Sequence, residues 1–99
     1  MTAWQLYLHP AAVEEAEVAA RWYRERSLRA SARFVDEVNQ TIDKIFGAPH
    51  RWPRGSNGTR KAKLPCFPFT VIYRASDEII QILAVAHGRR RPGYWRNRL

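Results

Sequence analysis

Cysteine occurs once in these 99 residues, at Cys66. A lone cysteine closes no internal disulfide, which fits a reducing cytoplasm, and a cytoplasmic location is expected. Set between Pro65 and Pro68 beside an aromatic, it carries no sign of an activated nucleophile. No apolar run approaches the ~20 residues that cross a bilayer, so no membrane role is expected. The opening MTAWQLYLHP has no basic segment ahead of a long apolar one, so no signal peptide is expected. His9, His50 and His87 have no cysteine or carboxylate at metal-ligand spacing, which argues against a metal site. Gly55-Ser56-Asn57-Gly58 lacks the Gly-Lys-Ser/Thr ending of a phosphate loop, and no cofactor is expected. Internal repeats and low-complexity segments are absent.

Acidic residues are the scarcest where they would matter most. Residues 48–99 carry eleven Lys/Arg against two acids, whereas residues 1–47 carry six against seven. The net charge of +8 is therefore concentrated in the second half. Such asymmetry suits an anionic partner, and its bland alternative is a solubilising surface. No carboxylate pair stands in the basic half to stage acid–base chemistry.

A chain of this length holds one domain. Trp4 to Leu8 reads as a short edge strand. His9-Pro10 ends it, and Pro10 suits a first helical turn. Val13, Ala16, Ala20 and Tyr23 mark a helix from Pro10 to about Arg26, with Glu14, Glu15 and Glu17 favourable for its dipole. Ser27 is a natural N-cap. Phe34, Val35, Val38, Ile42, Ile45 and Phe46 stripe a second helix that Gly47 and Pro49 terminate. The short link makes the two helices an antiparallel hairpin. His50 to Gly58 is a loop whose Trp52 should fold back on the helices. Thr59 to Leu64 alternates as a half-buried strand with Lys61 and Lys63 on one side. Phe67 to Arg74 is a strand, Ala75-Ser76-Asp77 a turn, and Glu78 to Ala86 an apolar run that wants cover on both faces.

The expected fold is α+β, in the order β-α-α-β-β-β: an antiparallel sheet with the two-helix hairpin on one face. Pairing Arg74 with Glu78 and Lys63 with Phe67 puts Ala62, Leu64, Ile72, Ile80, Ile82, Ala84 and Ala86 under the helices. Lys61, Lys63, Phe69, Val71, Tyr73, Gln81, Leu83, Val85 and His87 then form an open, binding face. On this register His87 lies near Lys63 and Arg89, Arg90 and Arg91, a cluster suited to phosphates, with Tyr94 and Trp95 free to stack on bases. Tyr94 and Trp95 can equally pack the tail onto the domain.

The quoted segments resemble, in order, the RelE/ParE superfamily of toxins from type II toxin–antitoxin modules. The likeness spans His9-Pro10-Ala11, Trp22-Tyr23, Phe34-Val35, Arg60, Phe67-Pro68-Phe69, Ile72-Tyr73-Arg74, Ala84 through Arg90, and Pro92, Tyr94, Trp95 and Arg98. Phe67 to Tyr73 and His87 to Trp95 look most like the ParE-named, plasmid-stabilisation branch. The resemblance implies growth inhibition, a heteromeric complex with a small cognate antitoxin, and either DNA gyrase or ribosome-bound mRNA as the target. Lys61 and Lys63 look like the paired lysines of RelE-like mRNA endonucleases, and Arg90 like their basic residue after the last strand. Thr70, however, stands where those nucleases carry an arginine. Cleavage through a 2′-hydroxyl needs a base and an acid; arginine only stabilises, whereas His87 or a neutral lysine can exchange protons. Lys61, Lys63, His87 and Arg90 are thus the catalytic candidates if the chain is a nuclease. Arg89, Arg90, Arg91, Tyr94, Trp95, Lys61 and Lys63 are the target-binding candidates in any case. The favoured expectation is a ParE-like toxin of gyrase. The alternatives are a RelE-like endonuclease and a non-toxic basic module that binds nucleic acid directly.

Overall fold

A computed structural model describes residues 3–99. Among them the order is strand β1 (Gln5–Leu8), helix α1 (Pro10–Arg24), helix α2 (Leu28–Gly47), then strands β2 (Arg60–Lys63), β3 (Phe69–Ser76) and β4 (Ile79–His87). The strands form one sheet in the order β1-β4-β3-β2. The β2–β3 and β3–β4 pairs are antiparallel. Only β1 runs parallel to its neighbour β4, because the two helices carry the chain back across one face before the meander begins. The fold is the expected α+β arrangement. No helix among the described residues is long and apolar enough to cross a membrane.

Local chemistry explains the helix ends. The His9 ring accepts the Ala11 N–H at Nδ1, 3.0 Å away, and Pro10 needs no partner for a missing N–H. Ser27 Oγ accepts the Ala30 N–H at 3.1 Å, the expected N-cap of α2. Ala12 and Ala19 are buried; their small side chains bring α1 close to β4. Ser31 Oγ donates to the Ala20 carbonyl at 2.8 Å and ties the helices together. Phe34, Val38 and Ile45 carry α2 into the core, whereas Val35 and Phe46 remain largely exposed. Tyr23, Phe34, Phe67 and Phe69 pack as an aromatic cluster between helices and sheet. Trp52 folds back onto the core, where it meets Tyr73 of β3 rather than a helix residue, edge-on at 6.2 Å between ring centroids. The Tyr73 hydroxyl donates to the Pro49 carbonyl at 2.7 Å.

The register corrects the expected faces. The β3–β4 turn is Asp77-Glu78, both at positive φ (52° and 63°), so Ser76 pairs with Ile79 rather than Arg74 with Glu78. Lys63 pairs with Thr70 rather than Phe67. Phe69, Val71 and Tyr73 therefore lie under the helices, and Ile72 lies on the other face. A bulge completes the change. Ile72 pairs with Ala84 and Tyr73 with Ile82, which leaves Leu83 as an extra residue. Ile80, Ile82 and Val85 consequently share the helix face, while Leu83, Ala84 and Ala86 share the other. The apolar run of β4 does have cover on both faces, as its composition required. Helices cover one side and Trp95 covers the other.

Candidate functional site

Past His87 the chain turns sharply, with Gly88 N–H donating to the Pro68 carbonyl and Arg90 N–H to the His87 carbonyl. Gly93 adopts φ +76°, a conformation that favours glycine, and redirects the chain toward the sheet. Trp95 then sits 3% exposed against Ile72, Leu83, Ala84 and Ala86. Its indole is a core group of the second face. Arg89, Arg90 and Arg91 all remain exposed.

The tail is anchored by an acid from the opposite end of the chain. β1 pairs with β4 only as far as Ile82, so the rest of that edge lacks a neighbouring strand. Side chains complete it. Glu15 Oε1 accepts the Val85 N–H at 3.0 Å, and Arg98 Nη1 donates to the Leu83 carbonyl at 3.0 Å. Arg98 also grips Glu15 with both ends of its fork, at 2.9 and 3.0 Å. The Tyr94 hydroxyl donates to Glu15 Oε2 at 2.7 Å. Burial pushes the Glu15 carboxyl up, but hydrogen bonds from Arg98, Tyr94 and Val85 and the Arg98 charge outweigh it. The net is a pKa below the ordinary value. Burial, with the hydrogen bond to Glu15 and its charge, pushes the Tyr94 hydroxyl up to about 12. The Tyr94 ring lies beneath Arg90, whose guanidinium carbon is 4.0 Å from the ring centroid.

A groove of about 770 Å³ runs between α1 and this tail. Val18, Trp22 and Phe69 supply apolar walls, and the polar lining comes from His87, Arg90, Glu14 and the Glu15–Arg98 pair. Val18 and Trp22 are each 51% exposed on α1, a large apolar surface for a helix otherwise rich in charge. A smaller cleft of about 230 Å³ separates the helices on the side of Val13 and Val35.

The sheet divides the catalytic candidates. His87 pairs with Phe69 on the helix side, and its ring meets the Phe69 ring edge-on at 5.0 Å. Its Nδ1 accepts the Arg89 N–H at 3.0 Å, leaving Nε2 as the nitrogen open to a ligand. Lys61 and Lys63 pair with Ile72 and Thr70, so they lie on the opposite face. Both are exposed. His87 is therefore not beside Lys63 as the expected register required; it faces the groove with Arg90 and Tyr94. Arg74 joins the lysines' face, where it donates to Gln81 Oε1 at 3.1 Å.

Sequence reasoning took Glu15 only as a helix-dipole acid. Its signal was its place on the inner stripe of α1, three residues after Ala12 and four before Ala19. A carboxylate on such a stripe needs buried donors. Arg98 entered the reading only as part of the family likeness.

Comparison with known proteins agrees with this architecture. No curated protein matches the chain. The chromosomal ParDE toxin–antitoxin system of P. aeruginosa contains a similar chain, with a TM-score of 0.77 and 18% identity over 88% of this chain and 98% of that one. That likeness speaks for the fold. A family profile described as the ParE toxin of the type II toxin–antitoxin system parDE matches residues 6–92. With the helical hairpin, the meander and the basic tail all inside or adjoining that span, the chain belongs to the ParE toxin family of type II toxin–antitoxin systems.

Proposed function

We propose that this toxin acts without nucleolysis, on DNA gyrase, through its basic C-terminal tail, and that a small antitoxin silences it. The observation that carries the non-nuclease reading is the division of His87 from Lys61 and Lys63 by the sheet. His87 on one face and the lysines on the other cannot act on one scissile bond, so the lysines lack His87 as a proton-transfer partner. The exposed Arg89, Arg90 and Arg91 offer an anionic assembly a dense cationic surface. The groove beside α1, apolar at Val18 and Trp22 with the Arg90 guanidinium beside them, suits an amphipathic antitoxin segment that brings an acid to Arg90.

The test is induced expression in growing cells, with transcripts mapped by primer extension and plasmid supercoiling measured in the same cultures. Growth arrest with altered supercoiling and intact transcripts is the expected result, and co-expression of a cognate antitoxin should relieve it. Harmless expression of folded protein, with tight salt-sensitive binding to bare RNA, would replace this reading by that of a nucleic-acid-binding module. A second reading, ribosome-dependent mRNA cleavage, draws on the exposed Lys61 and Lys63 side by side on one face. New transcript ends that disappear in Lys63→Ala would establish it.

A further inference from the structure

Of the three successive arginines, Arg90 alone has an aromatic ring beneath it among the described residues. That ring is itself fixed: the Tyr94 hydroxyl is held by Glu15, and Glu15 is held by Arg98 and the Val85 N–H. We propose that Glu15 is a positioning residue for Arg90, acting through the Tyr94 ring to keep one guanidinium of the tail presented in a single orientation. The proposal rests on the reading of the tail as the surface that meets the target. An exposed arginine normally samples many rotamers and loses them on binding. A guanidinium seated on a fixed ring has already lost part of that freedom, so an anionic target meets it preorganised. Arg89 and Arg91 supply charge, whereas Arg90 supplies charge at a set place. Arg98 cannot substitute for Arg90 here, because its fork is committed to Glu15 and to the Leu83 carbonyl.

The experiment uses Tyr94→Phe, which keeps the ring and removes its tether, together with Arg90→Ala and the double variant. Growth inhibition is titrated against inducer at matched soluble protein, and Arg90 side-chain resonances are followed by NMR in the purified proteins. In the wild type, ring current from Tyr94 should shift the Arg90 δ-methylene upfield; in Tyr94→Phe that shift should collapse toward the solvent-exposed value, and in Glu15→Gln, which keeps one acceptor, it should fall part of the way. Tyr94→Phe should weaken inhibition by about three- to tenfold, the effect of mobilising one side chain. It should add nothing in the Arg90→Ala background. A merely structural role for the tether would weaken inhibition equally with or without Arg90, and that outcome overturns the proposal. So does an Arg90 ring-current shift that survives both Tyr94→Phe and Glu15→Gln. A toxic wild type with Tyr94→Phe at full potency overturns the positioning alone. A harmless wild type overturns the tail reading and the positioning with it, and Arg90→Ala at full potency overturns the positioning alone.

Discussion

Glu15 and Tyr94 lie 79 positions apart in the chain and share a 2.7 Å hydrogen bond. The acid comes from the balanced half and the phenol from the basic half, so this bond and the Arg98 ion pair beside it join the two. It also solves a backbone problem. Where β1 stops, β4 would expose an unpaired N–H and carbonyl at a partly buried edge, and side chains from α1 and the tail replace the missing strand.

Removing that carboxylate should be costly. Glu15→Ala leaves the Val85 N–H and the Tyr94 hydroxyl without their acceptor and a charged Arg98 with only the Leu83 carbonyl, and the Glu15 and Arg98 side chains are only 17% and 14% exposed. Loss of one partner from a largely buried pair destabilises by about 3 kcal/mol. In a domain of this size that lowers the melting temperature by roughly 10–20 °C. Glu15→Gln, which keeps the shape and one acceptor, should fall between the two. Thermal melts at neutral pH distinguish them, and a Glu15→Ala protein that melts with the wild type would mean the network contributes nothing.

Alkali should loosen the same network. Tyr94 titrates near 12 in the folded protein against an ordinary value near 10, because burial and the Glu15 carboxylate both oppose a phenolate. A raised folded pKa means that the neutral phenol is favoured by folding. The stabilisation is complete below pH 10 and is lost as pH rises from there through 12. Tyr23 and Tyr73 are raised as well, by burial, and act in the same direction. Glu15 works at the other end. Its lowered pKa gives stability that is present above its ordinary value of 4.5 and is lost as pH falls through the folded value. Melting temperature measured from pH 8 to 12 should drop steeply, and Tyr94→Phe should flatten part of that drop. An equal slope in the variant would assign the alkaline loss elsewhere.

The β3–β4 turn is strained and repairable. Asp77 and Glu78 both hold positive φ, the conformation of a two-residue type I′ hairpin that asparagine followed by glycine adopts most easily. A glutamate there carries a left-handed penalty of about 1 kcal/mol. Glu78→Gly should therefore stabilise the fold by up to about 0.5 kcal/mol after the added chain entropy of glycine. A higher urea midpoint with an unchanged slope would show it; a lower midpoint would mean that the Glu78 side chain contributes more than its strain costs.

That turn also marks how far the sequence could be read. Element order followed from the apolar stripes of α1 and α2, from the Gly47 and Pro49 stop, and from the strand alternation around Ala62. Each of those signals is local. Register is not. The expected turn fell too early in the chain, because Asp-Glu carries no glycine to announce a type I′ hairpin. Leu83 then added a bulge that no alternation pattern reveals in the wholly apolar stretch from Ile82 to Ala86. Together these moved Phe69, Val71 and Tyr73 from the expected binding face into the core, and His87 away from Lys63. The two readings offered for the tail aromatics separate by residue: Trp95 is enclosed, and Tyr94 joins Glu15 to Arg90. A buried acid such as Glu15 becomes readable only when its spacing from Ala12 and Ala19 is taken as a core stripe rather than as dipole chemistry.

Arg89, Arg90 and Arg91 follow the last core strand and are exposed, so replacing all three with glutamine should lower the melting temperature by only a few degrees. The substitution removes the Arg90–Tyr94 stack, which at an exposed site contributes about 0.5–1 kcal/mol. The formal net charge falls from +8 by three, and those three cations are the densest run in the chain. If the tail meets an anionic assembly, growth inhibition should disappear while folding persists. The result does not depend on which target is correct, since gyrase with its DNA and the ribosome with its mRNA both present phosphates. Comparing growth arrest, soluble yield and thermal melts for wild type and triple variant decides the matter. A variant that folds and still arrests growth would move the target-binding surface off the tail. The next place to look would be the face that carries Lys61, Lys63 and Arg74, three of the sheet's cations.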